Sequence, residues 1–417
     1  MEDLEFFVGI DWGSESHQVC LMDRQGSVLG ERAFRHGGAG LAELANWILD
    51  ATGAQPHAVG MAIEIPHGPV VETMMERGFM VHSLNPKQLD RFRDRFSPAG
   101  AKDDRRDART LGDALRTDHH AFRHLDPAAP EIIELREWTR IANDLTGDRT
   151  RLVNRARQQL WRYYPQLLKI ENDLTKTWIR ELWGLAPTPD KARRIRVKTI
   201  ASLLKRHRVR RINAETVLER LHEPAVAVAP GTTEAAVAHV EVVFAQLTVV
   251  GQQLARAYHE MDRLVTALSQ TEASPEHQPE TTAQRDVEIL NSLPGVGRIV
   301  LATLLAEAHD PLLRRDYQAL RCLSGVAPVT RRSGKSLIVV RRLAAHNRLQ
   351  DAVHHWASVA VQHDAVSKTK YAALRSRSHG HARALRSVAD RLLCVACAML
   401  ENQTMFNPDS SRHSRAA

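Results

Sequence analysis

Cysteine and aromatic residues are scarce in this sequence. Its 417 residues include four cysteines, and Phe, Trp and Tyr together make up 5% of the chain. Four cysteines are too few and too widely separated to form a disulfide framework, which is typical of proteins from a reducing compartment. Cys394 and Cys397 lie in the apolar stretch RLLCVACAML without a second cysteine pair, so we interpret them as helix-core residues rather than zinc ligands.

Long apolar runs are also missing. No run reaches the roughly 18 to 20 residues that are needed to span a bilayer. The acidic beginning MEDLEFF lacks the basic-then-apolar order of a signal peptide. We therefore expect a bacterial cytoplasmic protein without a membrane partner. The 43% of hydrophobic residues is enough for real cores, and the length is enough for two or three domains.

The balance of charge is basic, with a formal net charge of +8. Such a chain attracts phosphate backbones, so carboxylates near a reaction centre would repel the substrate unless a cation lay between them. Mg²⁺ prefers oxygen ligands, and two such ions can stabilise both the attacking and the leaving oxygen of a phosphoryl transfer. Clustered acids in a basic chain therefore indicate metal-dependent chemistry on nucleic acid.

Four carboxylates form the candidate Mg²⁺ site: Asp11, Glu64, Asp104 and Asp107. Asp11 ends the apolar run FFVGID and Glu64 ends a second apolar run, so both can lie at neighbouring strand ends. Asp104 and Asp107, in KDDRRDAR, are three residues apart and share one face of a predicted helix. The alternative for any single acid is a turn or a helix cap, and Asp103 or Asp104 could cap that helix.

The first hundred residues alternate strand-like and helical patterns. We predict strands at 6–11, 17–23, from 27, at 57–65 and at 79–84, and helices at 40–51, at 69–78, from 86 and at 105–116. Three hairpin-linked strands followed by β-α-β-α is the order of an RNase H-like (RuvC-like) mixed sheet. We assign this α/β domain to residues 1–127.

From about Pro130 the pattern is helical. We predict a long, coiled-coil-like helical arm over 128–270, a polar linker over 271–282, an all-α domain over 283–403 and a disordered tail over 404–417. Between Lys191 and Arg211 ten Lys or Arg occur without an acid. This segment favours nucleic-acid contact, the alternative being a solvated basic helix. Its candidate contact residues are Arg193, Arg194, Lys205 and Arg206.

Two further motifs lie near the C-terminal end of the chain. PGVG (Pro294 to Gly297) is a tight turn between helical patterns, typical of a helix-hairpin-helix. Gly295 and Gly297 would present backbone N–H groups to a phosphate, the alternative being an ordinary inter-helix turn.

The second motif, TRRSGKS, contains the candidate nucleophile Ser333, surrounded by Arg331, Arg332 and Lys335. A serine hydroxyl needs a base or a metal ion to act as a nucleophile, and nearby cations stabilise charge that develops on phosphate. The alternatives are Ser336 as the nucleophile, or a simple Ser-Gly turn in a basic loop.

These motifs resemble those of one protein family. The acidic quartet with GIDWGSESH and KDDRRDA resembles the DEDD domain of bacterial insertion-sequence transposases, a bridge-RNA-guided recombinase family with a RuvC-like fold. LPGVGRIVLATLLAE and LSGVAPVTRRSGKS resemble the second, serine-containing domain of the same family. The sequence departs from the family pattern at Asp103, where relatives have Thr, and in AAHNRLQDA, where relatives often have Gly before Asn.

The resemblance implies a function. It implies that the quartet holds Mg²⁺, that Ser333 attacks DNA to form a phosphoserine link, and that a non-coding RNA from the element guides the choice of DNA. Because the serine and the acids lie on separate domains, we expect a dimer or tetramer that completes the site between subunits, associated with the nucleoid when active. Two alternatives remain: a RuvC-like structure-selective endonuclease that uses metal-activated water, and a non-catalytic nucleic-acid-binding scaffold.

Overall fold

The computed structural model describes residues 4–96, 103–270, 282–334 and 336–407. The chain divides into two compact units, Met1–Ala128 and Ala129–Ala417. The finer division of the second unit into an arm and a C-terminal domain stays a prediction. The predicted linker, apart from Thr282, and the predicted tail from residue 408 onward lie outside the described residues.

The first unit contains a mixed sheet of six strands. They are β1 (Phe6–Asp11), β2 (Ser16–Asp23), β3 (Val28–Arg35), β4 (Val59–Ile63), β5 (Met80–Ser83) and β6 (Arg123–His124). Their order is β3-β2-β1-β4-β5-β6: the first three form an antiparallel meander, β4 and β5 follow parallel to β1, and β6 is antiparallel to β5. This topology agrees with the predicted RNase H-like mixed sheet.

Four helices accompany the sheet: α1 (Gly38–Thr52), α2 (Pro69–Glu76), α3 (Pro86–Phe96) and α4 (Asp104–Thr117). Short 3-10 turns occupy Pro56–Ala58 and His119–Ala121. The predicted strand at 57–65 is therefore too long, because the proline at its start begins a turn and regular pairing covers only Val59–Ile63. Strand β6 has two residues and no pattern of its own in the sequence.

Helix α4 lies directly on strand β1. A Cβ atom at Gly9 would lie 1.8 Å from the carbonyl oxygen of Ala108 and 2.5 Å from the nitrogen of Gly112, so these two backbones touch. Further along α4, Leu115 reaches Gly60, the partner of Phe7 near the start of β1. The helix thus runs antiparallel to β1, and its first turn lies beside the strand's last residues.

The second unit begins with two long helices that pack along each other. They are α5 (Pro130–Tyr163) and α11 (Thr232–Gln270), and both lie within the predicted helical arm. By length and composition α11 could cross a membrane. In the structure one of its faces is buried, including Val240, Phe244 and Leu247.

Five short helices connect the long pair. They are α6 (Pro165–Ile170), α7 (Thr177–Leu185), α8 (Pro189–Ala192), α9 (Val197–Arg206) and α10 (Ala214–Leu221). Together with the neighbouring ends of α5 and α11 they enclose a core of their own. The basic segment Lys191 to Arg211 is therefore not one helix, and Leu203 and Leu204 face that core while the cations remain outside.

The remainder contains seven helices and a hairpin. They are α12 (Thr282–Ser292), α13 (Arg298–Glu307), α14 (His309–Leu313), α15 (Tyr317–Leu323), β7 (Val329–Ser333), β8 (Ser336–Val340), α16 (Asn347–His363), α17 (Ala365–Ser376) and α18 (His381–Asn402). The prediction of an all-α region is wrong here. The β-branched run in SLIVV favours a strand, and Gly334, with φ +55°, permits the tight turn.

Candidate active site

Asp11 and Glu64 lie side by side at one edge of the sheet. Strand register pairs Ile10 with Ile63 in parallel strands, and the two acids are the next residues along each strand. Both side chains are half-buried. Parallel strands that end together place their following side chains within reach of a shared ligand, so the predicted neighbourhood of these two carboxylates is present.

The other two acids of the quartet lie in the first turn of α4, the end of the helix that lies beside these strand ends. Asp107 is buried and Asp104 is exposed. Asp103, the residue that departs from the family pattern, is the N-cap, and its side chain accepts a hydrogen bond from the backbone N–H of Arg105 at 3.3 Å. Capping accounts for Asp103 without a role as a fifth ligand.

Arg93 on α3 is the residue of this site that sequence reasoning missed. Its Nε donates to Oδ1 of Asp107 at 2.5 Å and its Nη2 to Oδ2 at 2.7 Å, a two-point pair with a carboxylate that is 2% exposed. Arg93 also pairs with Asp90. Burial alone would lower the pKa of Arg93, but its bonds to Asp107 and the charges of Asp107, Asp90 and Glu64 raise it.

The donor set fits Mg²⁺ by chemistry, because carboxylate oxygens are its preferred protein ligands. Among the described residues, however, no three His, Cys, Asp or Glu side chains are arranged to hold a metal ion. The guanidinium of Arg93 balances the charge of Asp107 instead. In the sequence, RFRDRF offers one Asp and three Arg close together, and no spacing rule singles out Arg93 as the partner of Asp107.

A cavity of about 310 Å³ is lined by sequence neighbours of the two strand-end carboxylates, and neither Asp11 nor Glu64 is among its lining residues. Its lining includes Trp12, which follows Asp11, and Ile63 and Ile65, which flank Glu64. Trp12 is 45% exposed. A largely apolar hollow of this kind can hold part of a ligand. Nothing in the spacing of the sequence predicts this hollow, since its wall combines residues of β2, β4 and α2 with loop residues.

Ser333 is the last residue of β7, and the register pairs it with Ser336 across the turn. Every residue of the hairpin from Thr330 to Ser333 is exposed. Because side chains alternate along a strand, Arg331 shares a face with Ser333 and Arg332 projects from the opposite face. Lys335 lies outside the described residues. Within the part of the chain that the structure describes, no carboxylate or imidazole is hydrogen-bonded to the hydroxyl of Ser333.

The PGVG turn joins α12 to α13, and its two glycines differ in surroundings. Gly295 has φ +81°, and a Cβ there would lie 2.8 Å from the nitrogen of Ala360 on α16. The indole of Trp356 donates to the carbonyl of Pro294 at 2.9 Å, which fixes the turn on that helix. Gly297 is the exposed N-cap of α13, with open space around it.

The four predicted contact residues of the basic segment are all exposed. Arg193 and Arg194 follow α8, whereas Lys205 and Arg206 lie in the last turn of α9. Arg206 pairs with Glu181 at 3.0 Å, so part of its charge is balanced within the protein.

The N-terminal sheet, with acids at its strand ends and at the start of α4, is that of an RNase H-like DEDD domain, the class to which comparison with known proteins also points. A family profile for DEDD transposases of the IS110 type matches residues 8–165. A second profile, described as the IS116/IS110/IS902 transposase family, matches residues 287–372.

Several relatives agree with these profiles. A candidate transposase for the IS117 mini-circle of Streptomyces coelicolor is 31% identical, over 97% of this chain and 96% of its own length. An uncharacterized IS110 protein of the same species is 27% identical over the same shares. The candidate transposase y4uE of Sinorhizobium fredii is 60% identical over 209 residues, which span 50% of this chain and 58% of that protein.

The chain therefore belongs to the IS116/IS110/IS902 family of insertion-sequence transposases. Membership in a transposase family implies an enzyme that cuts and rejoins DNA, and the DEDD domain suggests the use of a divalent metal.

Proposed function

We propose that this chain is the transposase of an insertion sequence, which cuts and rejoins DNA with an Mg²⁺-binding quartet and the Ser333 nucleophile. The observation that carries the proposal is the register that pairs Ile10 with Ile63, since it places Asp11 and Glu64 together beside the first turn of α4. A carboxylate cluster at the edge of a basic protein's sheet is the arrangement that phosphodiester chemistry requires.

The quartet Asp11, Glu64, Asp104 and Asp107 would supply the metal ligands. Mg²⁺, when bound, supplies positive charge to the scissile phosphate. Arg93 holds the Asp107 carboxylate in place in the free protein, and it must release that carboxylate for all four acids to bind the same ion.

The chemical step would belong to Ser333. Its hydroxyl oxygen forms a new bond to phosphorus and passes its proton to water, while the bond between phosphorus and a DNA oxygen breaks and that oxygen takes up a proton from water to become a free DNA hydroxyl. Arg331 lies on the same strand face and can stabilise the negative charge on phosphate. The covalent phosphoserine conserves the bond energy for rejoining. The exposure of the hydroxyl supports this role, because a DNA strand can approach it directly.

The partners of the reaction would be DNA, an RNA guide and further copies of the chain. The exposed cations between Lys191 and Arg211 support contact with nucleic-acid backbones. The backbone N–H groups near Gly297, at the start of α13, offer a second phosphate contact. The separation of Ser333 and the acids into two units supports a dimer or tetramer in which one copy completes the site of another.

One observation favours a second function. In the described residues no base is bonded to Ser333, whereas Asp11 and Glu64 follow paired residues of neighbouring strands. A structure-selective nuclease that uses metal-activated water would need the acids and not the serine.

The test compares the two serines that face each other across the hairpin turn. Wild type, Ser333→Ala and Ser336→Ala are each incubated with Mg²⁺, the flanking RNA of the element and labelled junction DNA, and protein-linked DNA is measured on a denaturing gel. We expect an adduct with wild type and Ser336→Ala and none with Ser333→Ala. Because both serines are exposed strand residues, the two changes cost little stability and differ only in the hydroxyl that is removed.

Cleavage that persists in Ser333→Ala without any adduct would identify the nuclease instead. An adduct lost only in Ser336→Ala would move the nucleophile to that residue.

A further inference from the structure

Two adjoining cavities open at the base of the β7–β8 hairpin. They have volumes of about 220 and 280 Å³, and Gly325, Val326, Arg341 and Arg386 line both. Arg341 and Arg342 follow directly after β8, whereas Arg383 and Arg386 lie three residues apart in the first turns of α18 and share one helix face. We call the four residues Arg341, Arg342, Arg383 and Arg386 the arginine cleft.

The charges that line the two cavities do not balance. Five arginines and two aspartates contribute to the walls. Arg321 donates to both carboxylate oxygens of Asp390, at 3.0 and 2.7 Å, and Tyr317 also donates to that carboxylate. The four cleft arginines are left with the exposed Asp351. Among the described residues none of the four has an ion pair within 4 Å, and Arg341 bonds to the neutral amide of Gln350.

The cleft also contains polar atoms without partners. Nε of Arg342 and Nδ1 of His379 are buried, and within the described chain neither has a hydrogen-bond partner. Burial, followed by the nearby charges of Arg341 and Arg383, lowers the pKa of Arg386. A free protein gains no stability from like charges and unpaired donors held together. This arrangement is expected where an anion supplies the missing partners.

The position of the cleft relative to Ser333 indicates which anion. Val340, at the end of β8, pairs with Val329, whereas Ser333 pairs with Ser336 at the turn. Four residue steps separate the base of the hairpin from its tip, which is about 13 Å of extended strand. That length corresponds to about four nucleotides along one strand of a duplex. A strand with its scissile phosphate at the tip can therefore place another phosphate at the base.

We propose that the arginine cleft binds the phosphodiester backbone of the DNA strand that Ser333 attacks, about four nucleotides from the scissile phosphate. This inference rests on the proposed function. Gly325 helps to shape the site: it has φ +72°, and a Cβ there would lie 2.3 Å from Nε2 of Gln350. The turn of the LSGVAP motif therefore packs against the side-chain amide of Gln350, which accepts a hydrogen bond from Arg341.

The first test measures binding of a fluorescent DNA duplex to the full chain by anisotropy, over a series of salt concentrations and with EDTA to prevent cleavage. Arg383→Gln and Arg386→Gln are compared with Arg263→Gln. Arg263 is the matched control, because Glu134 and Glu260 already balance its charge at 2.7 and 2.8 Å. We expect each cleft variant to weaken binding about 5- to 10-fold and to reduce the salt slope by about 1, with no change for the control.

The second test needs no nucleic acid. Thermal unfolding of the wild type and of Arg386→Gln is followed with and without pyrophosphate, at equal ionic strength set with NaCl. Removal of one of the mutually repelling charges should raise the midpoint of the free protein. Pyrophosphate should raise the midpoint of the wild type more than that of the variant. A purely structural arginine would give a lower midpoint on substitution and no difference in the response to pyrophosphate.

The outcomes separate this inference from the proposed function. If the salt dependence of DNA binding is unchanged in both cleft variants, the proposal that the arginine cleft binds DNA is wrong, even if the wild type forms its serine adduct. A reduced slope with the expected thermal shifts supports the cleft even if no adduct forms. The same variants are titrated with single-stranded RNA, and a loss confined to RNA would overturn the assignment to DNA.

Discussion

The carboxylates of the first unit and the serine hairpin of the second are built in opposite ways. Asp11 and Glu64 take their positions from buried strands whose register is set by the core, and Asp107 lies on a helix that touches β1 through glycine. Ser333 lies on a two-stranded ribbon with exposed residues on both faces. A metal site needs preset ligands, whereas a nucleophile that must reach a DNA strand needs access.

The two regions also differ in how they balance charge. The acids include their own counterion, since Arg93 forms two bonds with Asp107. Within the described part of the chain, no acid forms an ion pair with the arginine cleft, because Asp390 is bonded to Arg321 and Tyr317 and Asp351 is exposed. On the proposed function, the acids can bind a cation together only after the pair between Arg93 and Asp107 opens, whereas the proposed anion site needs no such step.

The largest expected effect concerns the carboxylates, whose positions are set by the buried strands. Asp11→Asn keeps the size of the side chain and removes its charge, and we expect junction-DNA cleavage to fall about 1,000-fold or more. The reason is that metal-based charge stabilisation contributes several kcal/mol to such a reaction. DNA binding in EDTA should remain, because the basic surfaces are untouched. Cleavage is measured from the rate of product formation on a denaturing gel.

Asp23→Asn is the matched control. Asp23 ends β2 in the same sheet but pairs with Phe6 at the opposite edge, and it accepts a hydrogen bond from Ser27. Its loss should leave the cleavage rate within about twofold, because it lies at the wrong edge to touch the substrate. Equal losses in the two variants would mean that the strand-end position of Asp11 has no special part in the chemistry.

The second-largest expected effect tests whether the guanidinium of Arg93 takes the place that a metal ion would occupy beside Asp107. Arg93→Gln leaves Asp107 buried without its counterion, so we expect the free energy of unfolding to fall by about 3 kcal/mol in EDTA. Mg²⁺ should restore part of that loss in the variant and add little to the wild type. Denaturant unfolding with and without Mg²⁺ measures both values.

Arg95→Gln on the same helix provides the control for Arg93. It removes a pair with Asp118 at 3.0 Å in which the arginine is 49% exposed, so the expected cost is within about 1 kcal/mol. A large loss in Arg93→Gln that Mg²⁺ does not reduce would contradict Asp107 as a metal ligand.

The sequence predicted the parts of the site that follow from a periodic pattern. Alternating runs before Asp11 and Glu64 locate strand ends, and the spacing of Asp104 and Asp107 identifies one helix face. It could not predict Arg93, because that partnership depends on how α3 packs against α4. The hairpin was missed for a different reason: SLIVV is short and apolar, and helices on both sides made a helical interpretation equally consistent.

The smallest expected effect concerns PGVG, a motif in which one glycine is closely packed and the other lies in open space. Gly295→Ser places a side chain at φ +81° and within 3 Å of the Ala360 nitrogen, which should cost about 2 kcal/mol of stability. Gly297→Ser enters open space at an N-cap position, where serine is favoured, and should change stability by a few tenths of a kcal/mol at most.

Denaturant unfolding of the two glycine variants, with DNA binding measured on the same samples, separates packing from contact. If the turn holds a phosphate through the backbone N–H groups of α13, Gly297→Ser keeps those donors and binding stays within about twofold. Gly295→Ser should lose stability first and binding only where the fold is lost. Equal stability losses would mean that PGVG acts as one packed turn, and that Gly295 in contact with α16 does not differ from Gly297 in open space.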